Sequence, residues 1–361
     1  MNTSRAQWQE AIAAHGTAVL AVDARGGFES DTLLGLGVHH CSIRHFGKRR
    51  VDMVPRRFGS VLRTGDLVVL HEGWTLSNVV AAWQCVRRAI PYVIMPHGAY
   101  DEKVLEGRLK YRRLRELLER VVVHHARAVW LYFDAEAVDV RRFAPRAEFI
   151  TAVTGYTVQS SNPNVVRRGR DAERYVGWYG RFDIKHKGLD VLLAAMVRLP
   201  EAKRPLVRLV GPDYGGDKPR FEQAILERGM GEWMRVEPEK RGDDLRDFVL
   251  GADLIIHPAK WEAFGRVIVE VMAMSQLVAV SMSTHIASVI PDSSIIKFRC
   301  DSIALAQVLA NIPDGDVAAS IAQAGRKWVQ THLNWSVSVD TMWKELERHQ
   351  IFLGDPADAT F

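Results

Sequence analysis

The run HPAKWEAFGRVIVEVMAMS, residues 257–275, places two carboxylates, Glu262 and Glu270, with seven residues between them. Gly265 lies between them, where apolar residues begin to recur at helical spacing. A glycine lacks a Cβ, so an anion can approach the unpaired N–H groups of the helix it opens. Glu262 falls in the loop that ends the apolar run DLIIHPA, and Glu270 falls two turns inside the helix. A carboxylate at Glu270 can accept two hydrogen bonds from a vicinal diol such as a ribose. One acid would then address a reacting sugar and the other a nucleoside, with phosphates held at the helix start. A loop acid followed by a solvated helix glutamate would show the same spacing, which arises often by chance.

A second run, GRFDIKHKG (180–188), follows the apolar stretch RYVGWY. Gly180 allows a tight turn, and Arg181 and Lys187 lie on the connection into the next helix. A forked guanidinium and a point-charge ammonium suit a diphosphate. Two exposed basic residues on a loop would look the same. In the first half, His97 and Gly98 end the strand-like run PYVIMPHGAY, and His71 ends DLVVLHEGW. A histidine there could contact a sugar hydroxyl or position an acceptor; packed core histidines are the plainer reading. Neither HHC (39–41) nor HH (124–125) has the spacing of a closed metal site.

These residues need elements to position them. From Arg174 onward short apolar runs alternate with amphipathic ones: RYVGWYG, HKGLDVLLAAMVRL, PLVRLVGPD, KPRFEQAILERGM (a helix expected to close at Gly231), WMRVEP, DDLRDFVLGA, DLIIHPA, FGRVIVEVMAMS and LVAVSMS. That order predicts parallel strands joined by helices, a doubly wound α/β domain. The first half repeats the rhythm more weakly, with a strand TAVLAVD and a long amphipathic helix over about 101–127. In open α/β sheets ligands bind at the carboxyl ends of strands, which is where the candidates fall.

The chain has 361 residues, too many for one ordinary core. Hydrophobic residues make up 47% and charged residues 25%, as in a globular protein. The three cysteines, Cys41, Cys85 and Cys300, are scattered and read as reduced thiols. The polar and acidic N-terminal residues lack the apolar core of an export signal, and a cytoplasmic protein is expected. The net charge is +5, with basic residues crowded in 44–63 and 108–120. A solvated surface, an anionic membrane face or an acidic partner would each account for that crowding. The basic runs lack interleaved aromatics, so nucleic acid is not expected as a partner.

In combination and in this order, these pieces resemble the retaining glycosyltransferases of family 4, which have the GT-B fold. Gly180-Arg181, Lys187-Gly188, LVGP, ADLIIHPAKWEAFGRVIVEVMA and the tail HLNWS with Trp335 carry the resemblance. It implies an α/β protein of GT-B architecture: two Rossmann-like doubly wound parallel-sheet domains facing a central cleft. The expected divisions are an acceptor-side domain at 1–155, a linker at 156–173, a nucleotide-sugar domain at 174–335 and a helical tail at 336–361, for which a return to the first domain is one open arrangement. It implies that Arg181 and Lys187 bind the donor diphosphate, and that Glu270 binds the ribose. Glu262 with Ala263, Phe264 and Gly265 would contact the transferred sugar and phosphate, and His97 would stand at the reaction centre. Gly180 and Arg266 join the donor set. His71, Gly98 and a loosely matched turn at Gly26 and Gly27 join the acceptor side.

The implied reaction moves a sugar, with retention, from a UDP- or GDP-sugar to a sugar or lipid-linked acceptor in surface polysaccharide or glycolipid assembly. No metal or other cofactor is expected, and the basic segments of the first domain could dock on the inner face of a membrane. A sugar-nucleotide epimerase of the same fold and a degenerate binding protein are the alternatives. The sequence departs from the family pattern at Ser275, where glycine is usual, at Leu277, where proline is usual, and in the loop 281–292, which lacks the usual Gly-Gly.

Overall fold

The computed structural model describes residues 11–14, 19–23, 38–47, 52–102, 112–156 and 173–351. Gly26, Gly27 and most of the expected linker lie outside the described residues. The chain divides into two compact units, residues 1–155 with 333–361 and residues 156–332.

In the first unit, β1 (Val19–Asp23) and β2 (Val38–Ser42) pair in parallel, and β3 (His45–Phe46) and β4 (Val54–Pro55) form a short antiparallel pair. The sheet that carries candidate residues is parallel, in the order β5 (Val68–His71), β6 (Tyr92–Met95), β7 (Ala128–Leu131) and β8 (Phe149–Thr151). Between these strands run α1 (Leu76–Arg87), α2 (Arg112–His125) and α3 (Ala137–Arg141). Thr75 starts α1 by accepting the Asn78 N–H on its hydroxyl. β6 and β7 are buried along their whole length, as strands covered on both faces must be.

The second unit contains β9 (Val176–Tyr179), α4 (Leu189–Arg198), β10 (Val207–Val210), α5 (Asp217–Glu227), β11 (Met234–Glu237), α6 (Gly242–Leu250), β12 (Leu254–His257), α7 (Arg266–Ala273), β13 (Val278–Ser281), β14 (Ile296–Phe298), α8 (Ser302–Ala310) and α9 (Gly315–His332). The strands form one six-stranded parallel sheet in the order β11-β10-β9-β12-β13-β14. Counted from β9, the order runs outward in both directions, the doubly wound Rossmann pattern. The strand order therefore reverses between β9 and β12, and the crevice at their carboxyl ends is the ligand position such sheets favour. The two quoted runs, 180–188 and 257–275, are the connections that leave these two strands. Trp178, Phe182, Leu189, Leu192 and Leu254 fill the core beneath them.

The tail is two helices, α9 and α10 (Trp335–Arg348), broken where Asn334 caps the second. α10 belongs to the first unit and packs against β8. Helix α5 ends at Glu227, not at Gly231; Gly229 supplies the left-handed turn with φ 66°. Among the described residues, no helix is long and apolar enough to cross a membrane.

Ser275, where glycine was expected, does a glycine's work. Its φ is 58°, and its N–H reaches Met272 O (2.9 Å) while the Gln276 N–H reaches Val271 O (3.2 Å). That pair of bonds is the Schellman closure of α7, whose left-handed position favours glycine. Ser275→Gly is expected to stabilise the protein by about 0.5–1 kcal/mol. An unchanged urea midpoint would contradict this.

Candidate functional site

The connection after β9 begins at Gly180, whose N–H bonds Val210 O (3.1 Å). Asp183, 4% exposed, shapes the turn that follows: its side chain accepts the His186 N–H (3.1 Å) and its carbonyl the Lys187 N–H (2.9 Å). Gly188 caps α4 with φ 65°, and a Cβ there would stand 1.9 Å from Pro258 O. Only glycine lets this turn lie so close to the end of β12. The close approach puts Lys187 beside the loop 258–265.

Lys187 Nζ donates to Glu262 Oε2 at 2.5 Å. The Nε2 atoms of His186 and His257 each lie 3.7 Å from that same oxygen. Burial alone would push the Glu262 carboxyl up; Lys187 above all, with His257 and His186, holds it well below the usual carboxylate range. Burial, then the neighbouring Lys187, lowers His186 to about 4. Burial likewise lowers His257, which is 2% exposed. Both imidazoles are therefore neutral near neutral pH. Arg181 is exposed, with its guanidinium 4.2 Å over the Tyr214 ring and Nη2 3.4 Å from His186 Nδ1.

Gly265 caps α7 with φ 69°. A Cβ there would come within 2.7 Å of Ile268 Cδ1, so a larger residue would crowd the helix start. Ala263 and Phe264 lie half-buried in the loop just before it. One turn into the helix, Arg266 Nε donates to Glu270 Oε1 (2.9 Å), and the Tyr179 hydroxyl donates to Oε2 (3.2 Å). Burial and then Glu270 push Tyr179 far above its ordinary value, and raise Tyr156 to about 12. Both phenols stay protonated beside the carboxylate. Glu262 and Glu270 thus sit in two separate polar networks.

The divergent loop 281–292 is tied to this site by its backbone. Glu262 and Thr284 form an isolated parallel bridge, and the His285 N–H donates to Glu262 O (3.2 Å). Pairing of this kind needs no glycine, which explains how the loop keeps its place without Gly-Gly.

In the first unit, three neighbouring parallel strands each deliver one side chain at their carboxyl ends. His71 Nδ1 lies 2.8 Å from His97 Nε2, and His97 Nδ1 lies 2.5 Å from the Tyr132 hydroxyl. The two imidazoles are nearly parallel, at 14°. His97, Glu72 and Trp74 all have positive φ, at 53°, 70° and 64°. Each such non-glycine residue costs on the order of 1–3 kcal/mol, and this backbone strain is concentrated at functional sites. Buried Glu119 holds the loop, accepting the Trp74 N–H (3.0 Å) and the Tyr100 hydroxyl (2.5 Å).

Burial pushes Glu119 up to about 7, despite the hydrogen bonds from Tyr100 and Trp74 and the nearby Arg115. Its folded pKa lies above the ordinary carboxylate value, so the folded state binds more protons between about pH 4.5 and 7. Stability from this group is present below that window and falls as pH rises through it. Glu119→Gln is expected to flatten the loss of stability between those pH values by on the order of 2 kcal/mol, read from urea midpoints.

The sequence brought Arg181, Lys187, Glu262 and Glu270 forward, but not His186, His257, Tyr179 or Tyr132. His186 and His257 stand inside the quoted runs. Nothing in their spacing marks them, because they meet only where β9 and β12 lie side by side. Tyr179 is the last residue of an apolar strand and reads as core.

Two Rossmann-like units of parallel strands and crossover helices, with charged side chains at the switch point of the second, make up the GT-B architecture. Solved structures share the fold. Anabaena HepE in complex with UDP and glucose superposes with a TM-score of 0.71 at 16% identity, covering 96% of each chain. Sucrose-phosphate synthase from Thermosynechococcus elongatus gives 0.69 at 19% identity, covering 95% of this chain and 92% of that one.

Residues 166–328 match the family model described as glycosyl transferases group 1. The chain is 26% identical over 317 residues to D-inositol 3-phosphate glycosyltransferase 1 of Catenulispora acidiphila, covering 79% of this chain and 73% of that protein. It is 22% identical over 252 residues to the GDP-mannose:cellobiosyl-diphosphopolyprenol alpha-mannosyltransferase of Xanthomonas campestris, covering 66% of this chain and 61% of that one. The chain carries a group 1 glycosyl transferase domain and is a glycosyltransferase.

Proposed function

We propose that the protein is a metal-independent, retaining glycosyltransferase of family 4 that takes its sugar from a UDP- or GDP-sugar. The observation that carries this reading is the Lys187–Glu262 pair at 2.5 Å, set between two glycine-capped helix starts at the switch point of the second sheet. Lys187, Arg181 and the α7 helix start offset the charge on the departing diphosphate, the task a metal ion would otherwise perform. Glu262 with the backbone of Ala263 to Gly265 addresses the sugar, and Glu270 the ribose. His97, with His71 and Gly98, handles the acceptor side. In the front-face route, the acceptor oxygen bonds to the anomeric carbon as its bond to the phosphate oxygen breaks, and that phosphate takes the acceptor proton.

The acceptor is a sugar or a lipid-linked sugar used in surface polysaccharide or glycolipid assembly, met at the cytoplasmic leaflet. The support is helix α2. Leu114, Leu117 and Val121 are exposed along one side of it, at 58%, 59% and 51%, in company with exposed Arg113 and Arg120. An apolar stripe beside basic residues suits an anionic bilayer surface. Leu114→Asp/Leu117→Asp is expected to reduce co-sedimentation with phosphatidylglycerol vesicles about tenfold or more while leaving thermal stability unchanged. Equal sedimentation would remove the membrane from the reading.

The donor test is thermal stabilisation by a panel of UDP- and GDP-sugars. A matching donor at about 100 times its Kd should add about 2.7 kcal/mol. Turnover should continue in EDTA, and the product should keep the donor's anomeric configuration by NMR. Donor consumed without any acceptor would indicate an epimerase instead. No stabilisation by any nucleotide sugar would overturn the proposal.

A further inference from the structure

We infer that His186 and His257 are positioning residues that take over the Glu262 carboxylate when Lys187 turns to the donor diphosphate. The inference rests on the proposed function in one respect, that a diphosphate competes for Lys187.

Both imidazole Nε2 atoms are buried and have no hydrogen-bond partner. A buried polar atom left in that state costs about 1–3 kcal/mol, so a protein keeps one where another state of the site uses it. Both atoms face one acceptor, Glu262 Oε2, from 3.7 Å. Each is under 1 Å beyond hydrogen-bonding distance. Arg181 favours one tautomer of His186. A guanidinium can only donate, so where His186 Nδ1 accepts from Arg181 Nη2 (3.4 Å), rather than donating towards Asp183 Oδ2 at 3.8 Å, the proton of the neutral ring sits on Nε2, towards Glu262. The rings are fixed in place: His186 stacks on Trp261 at 4.6 Å and 10°, and His257 is the 2% exposed last residue of β12.

The exchange makes and breaks only hydrogen bonds. In the free protein Lys187 serves Glu262. A diphosphate draws the ammonium away, and a small shift of the carboxylate brings it within reach of the His186 Nε2–H and of His257 Nε2, which donates in the tautomer protonated at that atom. Without them, moving Lys187 would orphan a buried charge, and that cost would be charged against donor binding. Among the described residues, the titratable side chains facing Glu262 are Lys187 and His186 from the connection after β9 and His257 from β12; Arg181 and Asp183 act through His186.

The test is calorimetric binding of UDP and of GDP, without sugar, to the full chain and to His257→Leu, His257→Gln and His186→Leu/His257→Leu. Glutamine keeps an N–H near the Nε2 position, and leucine keeps only the volume. His257→Leu should bind the preferred nucleotide about tenfold more weakly, the double variant about a hundredfold, and His257→Gln within about threefold of wild type. The double variant should also regain affinity as pH falls from about 8 to about 5.5, because protonating Glu262 removes the orphaned charge. A purely packing role would lower thermal stability and leave both readouts alone. Wild-type affinity and pH profile in the double variant would overturn the inference. If the double variant does not fold, equal affinities for His257→Leu and His257→Gln would do so. A wild-type chain that binds neither nucleotide would sink the proposed function and this inference with it, whereas binding by all variants alike would sink the inference alone.

Discussion

Lys187→Ala is expected to lower turnover at least about a thousandfold, or about 4 kcal/mol of transition-state stabilisation, in a protein that still folds. The Lys187 side chain is 13% exposed and its ammonium lies 2.5 Å from Glu262, at a mostly buried position where water screens little. On the proposed function, charge would build on the leaving diphosphate as the glycosidic bond breaks, so Lys187 would contribute more in the transition state than in donor binding. Turnover should therefore fall further than donor affinity. Lys187→Arg should recover little, because a planar fork cannot replace a point charge at 2.5 Å.

The same substitution has a stability signature. Removing one partner of a buried ion pair costs about 3–5 kcal/mol when the other stays charged and alone. Glu262 is 20% exposed and has two imidazole N–H candidates at 3.7 Å, so about 2 kcal/mol is expected. In the wild type, Glu262 is held below its ordinary pKa. Its contribution is therefore present above the ordinary carboxylate value and is lost as pH falls through the acid range. Without Lys187 that contribution shrinks, and thermal stability should depend less steeply on pH below about 4.5. Parallel acid limbs in the two proteins would show that Lys187 does not hold Glu262 in solution.

Much of the second unit was legible because a parallel sheet buries both faces of its strands. VGWY, LIIH and VAVS are continuous apolar runs that end in turn residues. Arg181, Lys187, Glu262 and Glu270 could be singled out because they stand after strands, where ligands of open α/β sheets bind; that Lys187 and Glu262 meet is the structure's addition. What escaped has physical reasons. β2, VHHCS, carries two histidines and does not read as buried. β3 and β4 are two residues each, too short for any period. Helix α5 ended early because either Gly229 or Gly231 could close it, and only Gly229 takes the left-handed turn. The cage around Glu262 escaped because it forms across two connections more than 70 residues apart, as does the Lys187 pair itself. The strained loop at Glu72, Gly73 and Trp74 gave no sign, since nothing local explains two non-glycine residues with positive φ; the buried carboxylate of Glu119, 45 residues beyond Trp74, holds it.

Gly188→Ala is expected to be strongly damaging, and Gly229→Ala separates its two causes. Both glycines hold nearly the same left-handed backbone, with φ 65° and 66°. At Gly229 an added Cβ meets nothing within 4 Å, so only the conformational penalty applies, about 1–2 kcal/mol. At Gly188 the same methyl would stand 1.9 Å from Pro258 O, more than 1 Å inside contact distance. The turn 183–188 or the end of β12 must then move by about that much, and the total cost should exceed about 3 kcal/mol. The displacement falls on the residue next to Lys187 and on the chain that leads to Glu262. A misplacement of about 1 Å in a positioning contact costs about a hundredfold in rate. Gly188→Ala should therefore lose turnover about a hundredfold or more even under conditions where it remains folded, while Gly229→Ala should keep wild-type turnover with a modestly lower urea midpoint. Equal stability losses in the two variants would mean that β12 does not approach the turn as closely in solution, and the placement of Lys187 against Glu262 would go with it.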